Sequence, residues 1–205
     1  IDFPEKLEAA VPSFGMACSP LIDGDHVYVQ AGAGFCKVDK RTGQIVWRVA
    51  QDKGGMFGSA FSSPVKTRLA GKEVFLVQTR VALNVIDLQT GNIDCTVPIK
   101  AFRGMNILTP LVHEGSVFTS AYGGRSHMFN AVMQSGKVAL SETWNAKHQG
   151  YMSSPIVVGG VCYHHLRNQR LVALDISTGK DLWDVSNRFG KYWSMAVNGE
   201  RILAL

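Results

Sequence analysis

Two landmarks recur along this chain with nearly the same period, and together they leave few folds open. The first is a Ser-Pro or Thr-Pro pair at Ser19-Pro20, Ser63-Pro64, Thr109-Pro110 and Ser154-Pro155, spaced 44, 46 and 45 residues apart. The second is a Thr-Gly or Ser-Gly pair at Thr42-Gly43, Thr90-Gly91, Ser135-Gly136 and Thr178-Gly179, spaced 48, 45 and 43. A degraded fifth opening, Ser194-Met195, follows 40 residues after the fourth. The unit from Ser154 to Val185 reads as three short apolar runs and a closing segment with Trp183, separated by Gly159-Gly160, Asn168-Gln169 and Ser177-Thr178-Gly179. That is the grammar of a four-stranded antiparallel meander. A period near 45 with four strands per unit predicts an all-β fold, the blades of a β-propeller.

The apolar runs support this reading. Val74-Phe75-Leu76-Val77 is apolar on consecutive positions, as a strand covered on both faces must be. Parallel sheets also read this way, but they need crossover segments of a dozen residues or more, and none separates these runs. Blades are expected at about 16–50, 60–98, 107–144 and 152–186, with a partial unit at 193–205, about four and a half in all. Residues 1–15 form a lead-in with a short helix between Phe3 and Val11, begun by Pro4 and ended by Pro12. A first residue Ile1 and a last unit that stops in mid-strand predict an arc of a seven- to eight-bladed ring. Its remaining blades would come from further chain or from another copy.

The recurring turn has a local chemical reason. Asp39, Asp87 and Asp175 each precede a Thr-Gly pair by three residues. An Asp carboxylate accepts backbone N–H groups two and three residues on, and the glycines Gly43, Gly91 and Gly179 take the positive φ that ends the turn. Four residues after the glycine stands Trp47 or Trp183, placed to fill the gap between neighbouring blades. Blade two has Cys95 at the tryptophan position; blade three has Val132 for Asp, Ser135 for Thr and Leu140 for Trp. Two loosened blade contacts are expected there.

Composition mainly excludes. The net charge of +5 comes from Lys and Arg scattered among acids, with no basic run of the kind that marks a nucleic-acid patch. No apolar run approaches the ~18 residues of a membrane-spanning helix, and no signal peptide is visible. Cys18, Cys36, Cys95 and Cys162 form no C-x-x-C and no adjacent pair, and read as buried thiols ahead of metal ligands. His164 and His165 are adjacent in a strand, so their rings point to opposite faces and cannot readily share an ion. No G-x-S-x-G occurs, and Gly32-Ala33-Gly34 is a hairpin turn with no helix behind it to hold a phosphate. No catalytic residue and no metal site is assigned.

The pattern Ala173-Leu174-Asp175-Ile176-Ser177-Thr178-Gly179-Lys180-Asp181-Leu182-Trp183, with a Ser-Pro opening, resembles the PQQ-like (quinoprotein-type) propeller repeat. The resemblance runs from Ser19 onward and is good again from Val38-Asp39 to Trp47. It implies one of two roles. Some members are dehydrogenases holding pyrroloquinoline quinone and calcium in the central funnel. Others carry no cofactor and act as binding or assembly scaffolds in the periplasm or cell envelope, an outer-membrane assembly lipoprotein among them. The dehydrogenases commonly carry adjacent cysteines over the quinone, which this chain lacks, and the connections expected to line the funnel offer Asp52 and little else. A scaffold without cofactor is therefore the expectation, with the dehydrogenase and a carbohydrate-binding propeller as alternatives.

The resemblance also implies where a protein partner or small polar ligand would sit. The connections into each first strand and the turns between second and third strands gather on one face. Candidates there are Phe57, Arg103, Asn106, Lys147, His148, Tyr151, Tyr192 and Trp193 from the first set, and Arg125, His127, His165 and Arg167 from the second. Arg and aromatic residues are favoured at interaction surfaces. The competing reading has the aromatics capping blade cores and the charges merely solvated.

Overall fold

The structure, a computed structural model, describes residues 1–54, 58 and 61–205. Blade one is β1 (Leu21–Asp23), β2 (His26–Gln30), β3 (Phe35–Asp39) and β4 (Ile45–Val49). Blade two is β5 (Val65–Leu69), β6 (Lys72–Gln78), β7 (Ala82–Asp87) and β8 (Ile93–Pro98). Blade three is β9 (Leu111–His113), β10 (Ser116–Ser120), β11 (Ser126–Gln134) and β12 (Lys137–Ala146). Blade four is β13 (Ile156–Val158), β14 (Val161–His165), β15 (Leu171–Asp175) and β16 (Asp181–Asp184). A hairpin of β17 (Met195–Asn198) and β18 (Arg201–Ala204) follows. Every four-stranded sheet is an antiparallel meander in sequence order, the propeller architecture that the repeat predicts.

The helix α1 spans only Phe3–Leu7, shorter than the expected run to Val11. Asp2 caps it by accepting the Glu5 N–H, and Glu8 in the left-handed region (φ 50) ends it, so Pro12 is not the terminator. None of its residues is fully buried; Leu7 seats on a blade, over Gly32, and one such contact does not prolong so short a helix.

The apolar side chains are hidden between blades. Tyr28 and Phe35 of blade one meet Phe75, Val77 and Ile86 of blade two. Val74, Leu76, Leu83 and Val85 leave the other face of blade two to meet Val117, Phe129 and Val138 of blade three. Phe118 and Met128 then meet Cys162, Val172 and Leu174 of blade four. The consecutive apolar positions 74–77 thus serve two neighbours alternately, as the period of a strand requires.

Polar seams run beside these cores. The Ser63 hydroxyl accepts the Ser19 N–H at 2.9 Å, and the Thr109 hydroxyl accepts the Ser63 N–H at 3.3 Å, so the Ser/Thr-Pro openings link adjacent blades. Gln30, fully buried, donates to the carbonyls of Ser62 (2.6 Å) and Gln78 (3.1 Å). Gln78 in turn donates to the Leu108 carbonyl (3.3 Å) and accepts from the Thr119 hydroxyl.

Each Asp-x-x-Thr-Gly turn is closed by its carboxylate. Asp39 accepts from the Arg41 and Thr42 N–H groups at 2.9 and 2.7 Å, Asp87 from Gln89 and Thr90 at 3.0 and 2.7 Å, and Asp175 from Ser177 and Thr178 at 2.9 Å each. Burial alone would raise the Asp87 carboxyl, but Lys72 and the Thr90 N–H and hydroxyl more than offset this and hold it at about 2. The tryptophan of one blade lies on the turn glycine of the next. A Cβ added to Gly91 would stand 2.9 Å from the Trp47 indole.

Blade three corrects the sequence reading. Its β11–β12 hairpin places ten residues, 131–140, between Asn130 and Ser141, where blade one has four, 40–43, between Asp39 and Gln44. Asn130, not Val132, therefore takes the Asp position, and Trp144, not Leu140, takes the Trp position. Trp144 pairs with Met128 beside a bulge, as Trp47 pairs with Lys37 beside one. The indole seats on Gly179, and its N–H donates to the Ile176 carbonyl at 3.0 Å.

The longer hairpin also compensates for Cys95. Val138 is fully buried in the core shared with blade two, and Leu140 and Ala131 of the hairpin pack against the same core as Cys95 and Val97. Asp94 accepts the Val138 N–H at 3.0 Å while pairing with Lys72 at 2.7 Å. The expected loosening is absent from both seams. Cys95→Trp, a return to the consensus, is accordingly expected to destabilise by about 1–3 kcal/mol through overpacking. A raised urea midpoint for that variant would contradict this account of the seam.

Candidate functional site

A meander sends alternate connections to opposite ends of a blade. The turns after β2, β6, β10 and β14 and the connections after β4, β8, β12 and β16 all lie at one end, called here the mouth. The mouth turns carry Arg80, Arg125, Arg167 and Arg170, and the mouth connections carry Lys53, Lys100, Arg103, Lys147, Arg188 and Lys191. Asp52 is the one acid in these segments. The chain has 21 Lys and Arg and 16 Asp and Glu, which leaves eleven bases and fifteen acids for the rest. The modest overall charge hides a strong polarity between ends. At the other end bases and acids neutralise one another, as in Lys40–Asp25 (3.4 Å), Lys66–Asp23 (2.7 Å) and Lys72–Asp87 (2.8 Å).

Aromatic rings cross the mouth from blade to blade. Phe102 stands 5.4 Å from Tyr122, Tyr122 stands 4.9 Å from Tyr151, and Tyr151 stands 6.5 Å from Tyr192, centroid to centroid. The outer members are exposed, Phe102 by 48% and Tyr192 by 60%, and the inner two are half-buried. Cations lie over the row. Arg103 sits 5.2 Å above Phe102, Arg167 4.4 Å above Tyr122 and Lys191 5.5 Å above Tyr192. Glycines let the turn at Tyr122 approach this closely: a side chain on Gly123 would strike Phe102, and one on Gly124 would strike the Lys100 carbonyl.

A cleft of about 320 Å³ opens beside the row, lined by Lys147, His148, Gln149, Leu166, Arg167 and Asn168. Arg167 donates to the Gln149 side-chain oxygen at 3.2 Å, and its N–H donates to the Gln149 carbonyl at 2.8 Å. The same side-chain oxygen accepts the Gly123 N–H at 3.1 Å. His148 reaches across the blade seam to Asp181, 2.6 Å from Nε2.

The structure thus brings Arg103, Tyr151, Arg167 and Tyr192 into one row and Lys147 and His148 into the adjoining cleft. Other candidates sit elsewhere. Asn106 is 1% exposed and donates to the carbonyls of Thr79 (3.0 Å) and Ile99 (3.3 Å), tying a connection down rather than facing a ligand. His165 is also 1% exposed, between the Ser153 hydroxyl (3.1 Å) and the stacked ring of Trp193 (4.6 Å). Trp193 therefore covers blade four at this point. His127 and Arg125 belong to a separate network on β11 and β12. His127 is 2.6 Å from Glu142, Asn145 donates to Glu142 at 3.0 Å, and Arg125 donates to Asn145 at 2.8 Å. The hydrogen bond with His127 is the main reason that the Glu142 carboxyl lies below its usual range. Phe57 lies outside the described residues.

Tyr122 was the ring at the centre of the row, and its only sequence signal was a place in a second-to-third-strand turn. His164 is fully buried between blades three and four, edge-on to Phe118 at 5.6 Å, and both ring nitrogens lack a hydrogen-bond partner among the described residues. Burial, with smaller contributions from His148 and His165, pushes its pKa down to about 3.

Among the described residues no group of three or more His, Cys, Asp or Glu is placed to hold a metal ion, and no helix is long and apolar enough to cross a membrane. Calcium takes six to eight oxygen ligands, several of them carboxylates. The mouth offers Asp52 amid Lys and Arg, and Asp52 already accepts the Gly54 N–H at 2.7 Å. The described residues do not fit a calcium–quinone centre.

No curated protein matches the chain in sequence. Among solved structures it is similar to BamB from Moraxella catarrhalis, with TM-score 0.67 and 18% identity over 90% of this chain and 53% of that one. It is similar also to a europium-containing methanol dehydrogenase, with TM-score 0.56 and 12% identity over 84% of this chain and 46% of that one. A third is the quinohemoprotein alcohol dehydrogenase from Comamonas testosteroni, with TM-score 0.56 and 13% identity over 90% of this chain and 37% of that one. At such identities these likenesses show the fold alone, and the chain spans about half the length of the BamB structure. Residues 2–185 match the family described as outer membrane protein assembly factor BamB. With nine-tenths of its length matched, from the helix α1 through blade four, the chain belongs to that family of PQQ-like propellers.

Proposed function

We infer that this chain forms part of a non-catalytic scaffold of the cell envelope, on the periplasmic side, that holds a protein partner or a small polar ligand against its mouth. The observation that carries this reading is the row Phe102–Tyr122–Tyr151–Tyr192 at an end whose turns and connections carry ten bases and one acid. Arg and aromatic side chains are the residues that most often anchor interfaces. Membership of the BamB family supports a role in assembly. The likeness to two quinoprotein dehydrogenases keeps a redox reading in play, but the cationic mouth is poorly suited to a dication. A sugar site is disfavoured because Arg167 already covers the Tyr122 face on which a sugar ring would stack.

The test is redox turnover of the full-length protein. With pyrroloquinoline quinone and calcium added, no alcohol-dependent reduction of an artificial electron acceptor is expected above the protein-free rate. Quinone-dependent turnover would overturn the scaffold reading.

A further inference from the structure

The cleft beside the aromatic row has the features of a site for one particular chemical group. Its lining includes Lys147, His148 and Arg167 and no carboxylate. Asp181, across the blade seam, is engaged by His148 at 2.6 Å. Lys147 makes no hydrogen bond or ion pair with a described residue. Arg167 is held from two sides, by Tyr122 beneath it at 4.4 Å and by Gln149 at 3.2 Å. A guanidinium carries five N–H donors in a rigid fork. Fixing it in advance removes the ordering cost that usually weakens an exposed arginine contact.

We propose that this cleft anchors a carboxylate side chain of an acidic polypeptide segment, which continues over the ring row in extended conformation. The proposal rests on the scaffold reading and names the chemistry of its partner. Two observations select a polypeptide carboxylate. A planar fork matches a planar carboxylate with two parallel hydrogen bonds. The last step of the row, Tyr151 to Tyr192 at 6.5 Å, is close to the ~6.7 Å that separates side chains on one face of an extended chain, and the row as a whole offers a continuous apolar track for one. The surplus of bases around the mouth draws acidic chains in and speeds their encounter. Arg167 and Lys147 contact the ligand, and Tyr122 and Gln149 position Arg167.

The test uses full-length protein and a fluorescein-labelled ten-residue peptide of alternating Glu and Tyr, read by anisotropy. The control peptide has Gln for every Glu. The Glu peptide is expected to bind at least tenfold tighter than the Gln peptide, and to weaken as salt rises. Arg167→Ala is expected to weaken it about tenfold, Lys147→Ala about threefold, and Lys40→Ala at the opposite end not at all. Arg167→Lys keeps the charge and loses the fork and the stack, so it recovers less than half of the loss in binding free energy. Tyr122→Leu weakens the Glu peptide by a larger factor than the Gln peptide, which a merely structural role for the ring would not do.

Equal affinity for the two peptides, or indifference to Arg167→Ala, overturns the proposal. Arg167-dependent binding to vesicles containing phosphatidylglycerol, with no binding of the Glu peptide, overturns it in favour of a lipid headgroup. Full displacement of the Glu peptide by an equal concentration of inorganic phosphate overturns it in favour of a simple anion site. Quinone-dependent turnover would remove the scaffold role and leave the peptide measurements standing, so the two failures are separable.

Discussion

Trp144→Ala is expected to lower the free energy of unfolding by about 3 kcal/mol, the low end for removing a large aromatic from a packed site, because the indole is only half-buried. The loss has two parts. The ring leaves a void against Phe118, 5.9 Å away, and over Gly179. The Ile176 carbonyl loses the indole N–H that donates to it at 3.0 Å. Gly179→Ala attacks the same contact from the other side. Gly179 has φ 70, and an added Cβ would stand 2.5 Å from the indole carbon Cε3. Strain in the left-handed region costs about 1–2 kcal/mol, and displacing the ring adds to it. In the double variant the indole is gone when the methyl arrives, so the two losses are expected to fall short of additive by about 1 kcal/mol or more. Urea denaturation of the four proteins measures this. Strict additivity would mean that ring and glycine do not share a contact in solution.

Acid should destabilise the protein through His164. The folded-state pKa lies near 3, below the ~6.5 of an exposed imidazole, because the buried ring resists charge. Below pH 6.5 the unfolded chain therefore takes up a proton that the folded chain refuses. The ring's contribution is complete above pH 6.5 and is lost as pH falls towards 3, by roughly 1.4 kcal/mol per pH unit. From pH 6 to pH 4 this amounts to about 2–3 kcal/mol. The Asp87 carboxyl, held at about 2 by Lys72 and by its own turn against the effect of burial, adds an acid limb at lower pH. The contribution of the histidine is read as the difference between wild type and His164→Leu, two side chains of similar volume. The wild type is expected to lose stability more steeply between pH 6 and 4. Parallel curves would mean that the ring is protonated, or reaches water, in the folded state.

The parts of this fold legible in the sequence are those whose causes are local. An Asp, a Thr and a Gly within five residues shape their own turn, so Asp39, Asp87 and Asp175 could be read without knowing their neighbours. Trp144 could not be read in this way. Its place is set by the length of a hairpin, and counting four residues on from Ser135-Gly136 lands on Leu140 because the strands there continue past the usual turn. Asn106 and His165 were misplaced on the surface for a related reason. What buries them comes from another blade or connection, Thr79 for one and Trp193 for the other. The polarity of charge was hidden by summation. A net +5 looks like scatter until the meander sorts each connection to an end, after which the excess follows from the same letters.

The indoles of Trp47 and Trp144 each seat on the turn glycine of the blade that follows, Gly91 and Gly179, not on their own. Units of this protein are therefore not interchangeable parts. A unit moved by recombination must offer a turn glycine to one neighbour and an indole to the other. Blade two offers Cys95 in place of the indole, and the long hairpin of blade three fills the room that Cys95 leaves. Transposing blade two alone would leave an empty seam, and setting blade three behind blade one would drive Trp47 into Val138 and Leu140. The two would have to travel as one cassette, and duplication or exchange within the gene would be tolerated at the borders of that pair and selected against at its centre.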